Sequence, residues 1–576
     1  MDLLRSVKDR SDETEFYTPL PEGYHLGETK YVVVLGTVIS GLGKGIFSSS
    51  LAKLLKDKGL SVSPIKLEGY LNIDSGTLNP YRHGEVFVLD DGMETDMDLG
   101  TYERMLDQDL SRHNFCTSGQ IYNNVLAKER AGSYLGRDVQ MIPHVTGEVK
   151  LRLRELAAKT SADVVFVEVG GTVGDIENNF YIEALRELSY EEGPGSVLFV
   201  ALTYVIKPPA LGEQKSKAAQ LGIKRLMEHG IQPDIIAVRA ESPVTDKVRQ
   251  KISVYTNVPI PRVFSMHDLP SIYLLPDVMR EDGLDMEVVQ LLGLGSRVNT
   301  AMDYRAMHDW REFTTRIGVD SPSVKIGITG KYTAVRDSYA SILKALEHSG
   351  AANDCKVDLE WIDTTEVNAS NVAEALKDVQ GIIVPGGFGT RGTTGKIECI
   401  RYARENGLPY LGICLGFQMA VIEYARNVCG IEDAGSTELD PDCEAAVIDI
   451  LPEQKQIEGL GGNMRLGGQD VEITPQTRAA ELFGGREMIR QRFRHRYEVD
   501  PKYIETLESY GLIFSGRHPK HPIMQILELP REVHPYFAAA QFHPELTSRP
   551  LRPQPMFVDL VKAALQRRQS ANSAGV

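Results

Sequence analysis

Three stretches carry residue types at spacings that could do chemistry. The first is Gly36-Thr37-Val38-Ile39-Ser40-Gly41-Leu42-Gly43-Lys44-Gly45-Ile46. Glycines that open a helix offer backbone N–H groups and the positive end of the helix dipole to an anion, and Lys44 adds a mobile charge for terminal phosphates. The match to the usual phosphate loop is incomplete, because Val38 takes the place of the first glycine and Gly45 that of the Mg²⁺-binding Ser/Thr. Any metal must then rest on carboxylates elsewhere, and a plain strand-turn-helix stays open as an alternative. The second stretch, Gly412-Ile413-Cys414-Leu415-Gly416, has the spacing of the sharp strand-to-helix elbow that lifts a nucleophile to the edge of a sheet. A helix N-terminus at that point favours the thiolate. The third, Gln541-Phe542-His543-Pro544-Glu545, supplies a base. In an extended chain residues i and i+2 share a face, which puts Glu545 beside His543 to fix its tautomer.

Carboxylates and lysines follow the phosphate loop. A strand over Leu60 to Ile65 would deliver Lys66 to the carboxyl ends of the strands, where open parallel sheets bind ligands; a solvated lysine is the equal alternative. The segment Gly84 to Gly100 is dense in acids, and the apolar run Asp163 to Val167 ends in Glu168. A carboxylate at the end of a buried strand beside a phosphate loop is where a nucleotide's Mg²⁺ is usually held, so Asp98 and Glu168 are the expected ligand pair. Lys215, Lys217 and Lys251, taken singly, read as surface lysines, and His348 and His521 as surface histidines.

The elements that must position these groups can be read from periodicity. Tyr31 to Leu35 is a β-branched, apolar run, and Phe47, Leu51, Leu54 and Leu55 recur on one helical face. Val197 to Thr203 makes a further strand, and the pattern loses its period between Asn299 and Ser323. Val324 to Thr329, Ile382 to Val384 and Ala538 to Phe542 are strands of a second α/β unit. The organisation expected is a polar extension (1–30), a Rossmann-like α/β domain of P-loop type (31–298), a linker (299–323), a second α/β domain (324–566) and a disordered tail (567–576).

Bulk properties narrow the function. A length of 576 residues suggests three or four domain-sized units. A formal charge of −16 argues against general nucleic-acid or anionic-membrane binding, so an anionic ligand needs a local basic pocket. Six cysteines without CxxC pairs fit a reducing compartment. The N-terminus has no apolar core of a signal peptide and no run reaches membrane-spanning length, so a cytoplasmic enzyme is expected.

Longer motifs now point to a family. Lys66 to Thr77, His83 to Arg104, Glu168 to Glu177, Gly212 to Lys217 and Pro270 to Pro276 resemble the amidoligase domain of the CTP synthase family. Pro385 to Gly389, the cysteine elbow and Gln541 to Glu545 resemble class I glutamine amidotransferase domains, and Gly462 to Gly467 with Arg494 to Glu498 are similar to the CTP synthase version of that domain. The resemblance implies that Ser40, Gly41, Leu42, Gly43, Lys44, Gly45, Ile46, Lys66, Asp98 and His267 surround ATP, and that Asp98 and Glu168 hold Mg²⁺. It implies contacts to UTP or CTP from Ser40, Asp175, Ile176, Glu177, Lys215, Ser216, Lys217, Ala218, Ala219, Gln220 and Lys251. It implies an oxyanion hole from the Gly387 and Leu415 N–H groups, and glutamine contacts from Gly387, Phe388, Leu415, Gly416, Phe417, Gln418, Glu438 and Arg496. The chain departs from the family at Glu68-Gly69, Ser75 and Ala218, where prolines or a Pro-containing dipeptide are usual. Loss of proline frees φ, so looser nucleotide loops are expected.

The implied reaction is amination of UTP to CTP. Phosphorylation of uracil O4 by ATP creates a leaving group, with Lys44, Lys66 and Mg²⁺ offsetting charge. Cys414 attacks the amide of L-glutamine, His543 moves protons, and water clears the thioester. The resemblance further implies GTP as activator, CTP as inhibitor, and a homotetramer that can stack into filaments. Two alternatives stand beside it: a glutamine-dependent ligase that amidates a carboxylate, and a silent paralogue, which would be free to lose one of Lys44, Asp98, Glu168, Cys414, His543 or Glu545. All six are present.

Overall fold

The computed structural model describes residues 19–210, 212–317, 321–331, 335–450 and 464–574. Outside the described residues lie the first 18 positions of the expected extension, 318–320 of the linker, Gly462 and Asn463 of one motif, and the last two residues of the tail. The chain divides into two compact units, residues 1–77 with 101–310 and residues 78–100 with 311–576, not three or four. Each unit is large because a wide sheet is covered on both faces.

The first unit is built on a seven-stranded, wholly parallel sheet in the spatial order Phe115–Thr117, Val62–Glu68, Val164–Val169, Lys30–Gly36, Val197–Tyr204, Ile235–Ala240, Val263–His267. The four strands nearest the middle of the sheet are almost entirely buried, which is why they read as near-continuous apolar runs. The Val62–Glu68 strand runs past the expected Ile65, so Lys66 and Glu68 are strand residues and Lys66 pairs in register with Glu168. Lys30–Gly36 lies in mid-sheet and feeds the glycine loop into the helix Lys44–Asp57. The helix Thr300–Thr315 replaces the aperiodic linker expected there. Trp310 explains the difference: it is buried, its indole N–H donates to Tyr273 O at 3.0 Å, and the Lys53 ammonium sits 4.2 Å over its ring.

The second unit carries a nine-stranded mixed sheet. Its parallel part runs Lys356–Asp363, Ser323–Gly330, Gly381–Val384, Tyr410–Ile413, Phe537–Ala540, and antiparallel strands continue it through Met524–Glu528, Ile513–Arg517, Arg465–Ile473 and Met488–His495. Residues 78–100 belong to this unit although the sequence pattern placed them in the first domain. The guanidinium of Arg490 grips Asp90, Arg492 donates to Val88 O at 3.1 Å, and Gly468 N–H donates to Asp90 O at 2.7 Å. The C-terminal segment is also not frayed: the helix Pro555–Ala574 continues through the region expected to be disordered, and Arg567 donates to the carbonyls of Asn406 and Gly407. His348, read as a surface residue, is buried and shares a 2.8 Å hydrogen bond with Ser548, whereas His521 is exposed. Among the described residues all six cysteines are free, and no helix is long and apolar enough to cross a membrane.

Candidate active site

The elbow in the second unit is forced by its neighbours. Cys414 has φ 51° and ψ −101°, a conformation that costs on the order of 1–3 kcal/mol for a residue with a Cβ. It follows the strand Tyr410–Ile413 and precedes the helix Leu415–Asn427. A Cβ on Gly412 would meet Tyr410 Oη at 2.2 Å, and one on Gly416 would meet Val384 O at 2.1 Å, so glycine is required on both sides. The Tyr410 hydroxyl donates to Gly416 O at 2.9 Å and ties the turn together.

The base arrives by sheet pairing. Tyr410–Ile413 runs parallel to Phe537–Ala540 in register, so Cys414 and His543 leave the sheet at the same end. His543 Nδ1 lies 2.8 Å from Glu545 Oε1. The expected extended geometry is wrong in detail, because the strand stops at Ala540 and Glu545 sits in the 3₁₀ turn Pro544–Thr547. Pro544, with its fixed φ and missing N–H, starts that turn and brings Glu545 round to the ring. Nε2 of His543 makes no hydrogen bond of normal geometry among the described residues, yet it is close enough to Cys414 to interact electrostatically with it. Burial pushes the imidazole down, and the charges of Glu545 and Cys414 overcome this, holding it up at about 10. A protonated imidazole places a positive charge beside the nucleophilic sulfur.

Around the sulfur, Gln541 Nε2 donates at 3.8 Å and Arg494 O accepts at 3.6 Å. Cys414 is only 3% exposed, but it opens on a cavity of about 110 Å³ lined also by Gly386, Gly387, Phe388, Arg494 and His543. No described residue accepts the Gly387 N–H.

In the first unit the glycine loop takes the left-handed backbone it needs at Val38, Gly41 and Gly43. Lys44 folds back over Gly36 and donates to Gly171 O at 2.9 Å. Glu168, 1% exposed, receives Lys66 Nζ at 2.6 Å and the Tyr102 hydroxyl at 3.0 Å. Next in that loop Asp175 accepts from Thr172 N–H, and Asn178 holds the carbonyls of Gly170 and Thr172. Met266, the neighbour of His267, would touch a Cβ on Gly43, so the end of that strand lies beside the glycine loop. A separate pocket of about 600 Å³ is lined by Lys207, Lys215, Lys217, Lys247, Lys251 and Gln220, among others. In a chain of charge −16 it is a local concentration of positive charge, with Glu213 also in the lining and paired with Lys215.

Residues 30–294 match the family model for the CTP synthase N-terminus, and residues 334–563 that for class I glutamine amidotransferase. The CTP synthase of Thermococcus gammatolerans is 50% identical over 541 residues, covering 94% of this chain and 99% of that one. Those of Methanopyrus kandleri (48%, covering 93% and 99%) and Bacillus cytotoxicus (45%, covering 94% and 100%) are similar over comparable spans.

The chain belongs to the CTP synthase family.

Members of this family make CTP from UTP in an ATP-dependent reaction with glutamine as the nitrogen source, the last step of pyrimidine synthesis. A solved structure of the Trypanosoma brucei CTPS glutaminase domain with bound acivicin is 36% identical, with a TM-score of 0.40, over 42% of this chain and 94% of that one. The carboxylate-amidating alternative loses its basis, since CTP synthase relatives cover both halves.

Among the residues that the CTP synthase resemblance singled out, Gly387 and Phe388 meet Cys414 and His543 in one cavity. Leu415 and Gly416 open the helix behind the sulfur, Phe417 faces the core, and the Gln418 amide donates to Tyr497 O at 3.0 Å. Glu438 accepts the Gly389 N–H at 2.9 Å, and neither it nor Arg496 lines the cavity. Lys215, Ser216, Lys217, Gln220 and Lys251 line the basic pocket, whereas Ala219 is buried and Ala218, Ser40, Asp175, Ile176 and Glu177 are outside its lining. Asp98 occupies the first turn of the helix Met97–Leu106, in the stretch that clusters with the second unit, while Glu168 belongs to the first. Among the described residues no cluster of three or more His, Cys, Asp or Glu could hold a metal.

The residues that sequence reasoning missed are Tyr102, Arg494 and Gln541. Gln541 stood in the histidine motif two positions before His543, and a same-face argument could have singled it out. Nothing local marks Arg494 as the carbonyl beside the nucleophile. The altered loop carries hydrogen bonds of its own: Ser75 Oγ lies 3.0 Å from the Tyr70 hydroxyl, Gly76 N–H donates to Asp74, and Asn72 to Thr77. A serine hydroxyl thus supplies a hydrogen bond where a proline ring would have supplied stiffness.

Proposed function

We propose that the second unit hydrolyses L-glutamine and that the first uses the ammonia to convert UTP to CTP through a 4-phosphorylated uracil. The observation that carries this reading is the Cys414, His543 and Glu545 constellation, with a 2.8 Å His543–Glu545 contact beside a strained nucleophile elbow. Cys414 attacks the glutamine amide, the negative oxygen is received by the Gly387 and Leu415 N–H groups, and His543 protonates the departing ammonia. Water, deprotonated by His543, then releases glutamate. In the first unit Lys44 and the glycine loop receive the phosphates of ATP, with Lys66 and His267 alongside. UTP, or CTP as inhibitor, lies with its phosphates among Lys215, Lys217, Gln220 and Lys251, supported by the cationic lining of that pocket. Ser40 and Asp175 to Glu177 approach the same nucleotide.

For Mg²⁺ the donor set offers Glu168, a buried carboxylate at a strand end that Lys66 and Tyr102 already orient, and Mg²⁺ takes few protein ligands beside substrate phosphates. Glu168 and Asp98 are its proposed carboxylates, and bound there it would neutralise charge on the transferring phosphoryl group. GTP as activator, a homotetramer able to form filaments, and a cytoplasmic location belong to the same reading.

The test is CTP formation from UTP, ATP and Mg²⁺ with glutamine or ammonium, in the wild type and Cys414→Ala. The expected result is use of both nitrogen sources by the wild type and of ammonium alone by the variant. Retained glutamine use in the variant would overturn the nucleophile assignment. Glutamine hydrolysis without CTP from either source would overturn UTP as substrate.

A further inference from the structure

Lys396 sits in the helix Thr393–Glu405, is 1% exposed, and donates from Nζ to Pro385 O at 2.9 Å. A fully buried lysine is rare unless an acid pairs with it, and among the described residues no carboxylate does. The charged or acidic neighbours it feels are Lys331, Cys414 and Cys399. Burial, helped by Lys331 and opposed by the Cys414 sulfur, pushes its ammonium down to about 7. Such a group is costly to keep for packing alone.

Its hydrogen bond falls on the loop that precedes the proposed oxyanion donor. Pro385 O shares a peptide with Gly386 N–H, so fixing that carbonyl fixes the entry to the Gly386–Gly387 peptide. The far side of the loop is pinned as well: Lys331 Nζ donates to Phe388 O, and Glu438 accepts the Gly389 N–H of the same peptide at 2.9 Å. Two peptides are left between the pinned ones, and the first of them, Gly386–Gly387, carries the Gly387 N–H. A Cβ on Gly386 would meet His543 Cε1 at 3.0 Å and Cys414 Cβ at 3.5 Å, so there is little room for this loop to shift without striking the catalytic pair.

We propose that Lys396 is a positioning residue of glutamine hydrolysis, holding the Pro385 carbonyl from inside the protein so that the Gly387 N–H stays directed at the oxygen of the tetrahedral intermediate. Lys396 touches neither substrate nor the proton in flight; it acts through the loop. This inference rests on the glutaminase reading above and would fall with it, but the two fail differently: Cys414→Ala tests the nucleophile, and the variants below test the loop.

The test uses full-length Lys396→Met and Lys396→Gln. In Lys396→Met, kcat for glutamine hydrolysis is expected to fall about 30-fold with KM within about twofold, somewhat less than deletion of a direct oxyanion donor costs. Inhibition by glutamate γ-semialdehyde, whose aldehyde forms an oxyanion on the cysteine, should weaken by a similar factor. Alkylation of Cys414 by iodoacetamide, which forms none, should stay within about twofold. Ammonium-dependent CTP formation should be unchanged and reports that the chain is folded. Lys396→Gln, which keeps an N–H donor, should recover part of kcat. An unchanged kcat, or alkylation that falls in step with kcat, overturns the proposal. Should Lys396→Met fail to fold, Lys396→Gln decides: a kcat loss with weakened aldehyde inhibition and normal alkylation supports it, and wild-type kcat overturns it.

Discussion

Glu94 and Arg494 are 400 positions apart in sequence, and Arg494 Nε donates to Glu94 Oε1 at 2.7 Å. Arg494 also lies 5.2 Å over the Phe388 ring, and its carbonyl is the acceptor beside the Cys414 sulfur. One residue therefore joins the acidic segment that ends at Asp98 to both walls of the glutaminase cavity. A charge-assisted hydrogen bond at a largely buried site contributes on the order of 1.5–3 kcal/mol. Arg494→Met is expected to reduce glutamine-dependent CTP formation about tenfold, and Glu94→Gln by less. A double-mutant cycle on glutaminase kcat/KM should show coupling of about 1–2 kcal/mol; additive effects would remove the link.

His543 makes stability depend on pH. Its folded-state pKa, about 10, is above the unfolded value of about 6.5. The stabilisation is therefore complete below about pH 6.5 and is lost as pH rises through about 10. Thermal unfolding should show the glutaminase unit weakening from pH 7 to 10. Glu545→Gln removes the main charge that raises His543, so its slope over the same window should flatten, while its glutaminase kcat falls by about 10² or more.

Gln541 offers an amide N–H to the sulfur at 3.8 Å and accepts from Gln418 at 3.4 Å. Gln541→Leu should slow iodoacetamide alkylation of Cys414 and lower glutaminase kcat about tenfold, with ammonium-dependent synthesis intact. Equal alkylation rates in the two proteins would remove Gln541 from the support of the sulfur.

Tyr102 and Lys66 share the two oxygens of Glu168. Tyr102→Phe removes one donor from a buried carboxylate, a cost of about 1–3 kcal/mol. Synthesis with saturating ammonium should slow about tenfold while basal glutamine hydrolysis is unaffected. A matching loss in both activities would indicate general destabilisation instead.

Ser75→Ala breaks the Tyr70–Ser75 hydrogen bond, worth about 1 kcal/mol. We expect KM for UTP to rise about fivefold. Ser75→Pro should restore wild-type KM if stiffness is what the loop needs.

Much of this molecule was legible in its sequence. The apolar runs at Tyr31 and Val164 are strands because residues buried on both faces must be continuously apolar. The glycines around Cys414 announce the elbow because no side chain fits there. His543 and Glu545 are two positions apart, and the 3₁₀ turn that starts at Pro544 brings them together although the chain is not extended there. Spacing, glycine and period are local properties, and they are carried by the chain itself.

The tertiary structure alone decided the rest. Residues 78–100 read as part of the first domain, yet hydrogen bonds to Arg490, Arg492 and Arg494 on a single strand assign them to the second unit. The Trp310 region reads as aperiodic because its helix buries only a short stretch near its C-terminal end, Trp310, Phe313 and Thr314, and not an apolar stripe along its length. Lys396, Gln541 and Arg494 gain their roles from a carbonyl or a sulfur supplied by another strand or turn, and such a partner leaves no mark on the residues beside them. The sequence by itself determined which groups could react. Which groups hold them in place was settled only when folding brought chain segments as much as 404 positions apart into hydrogen-bonding distance.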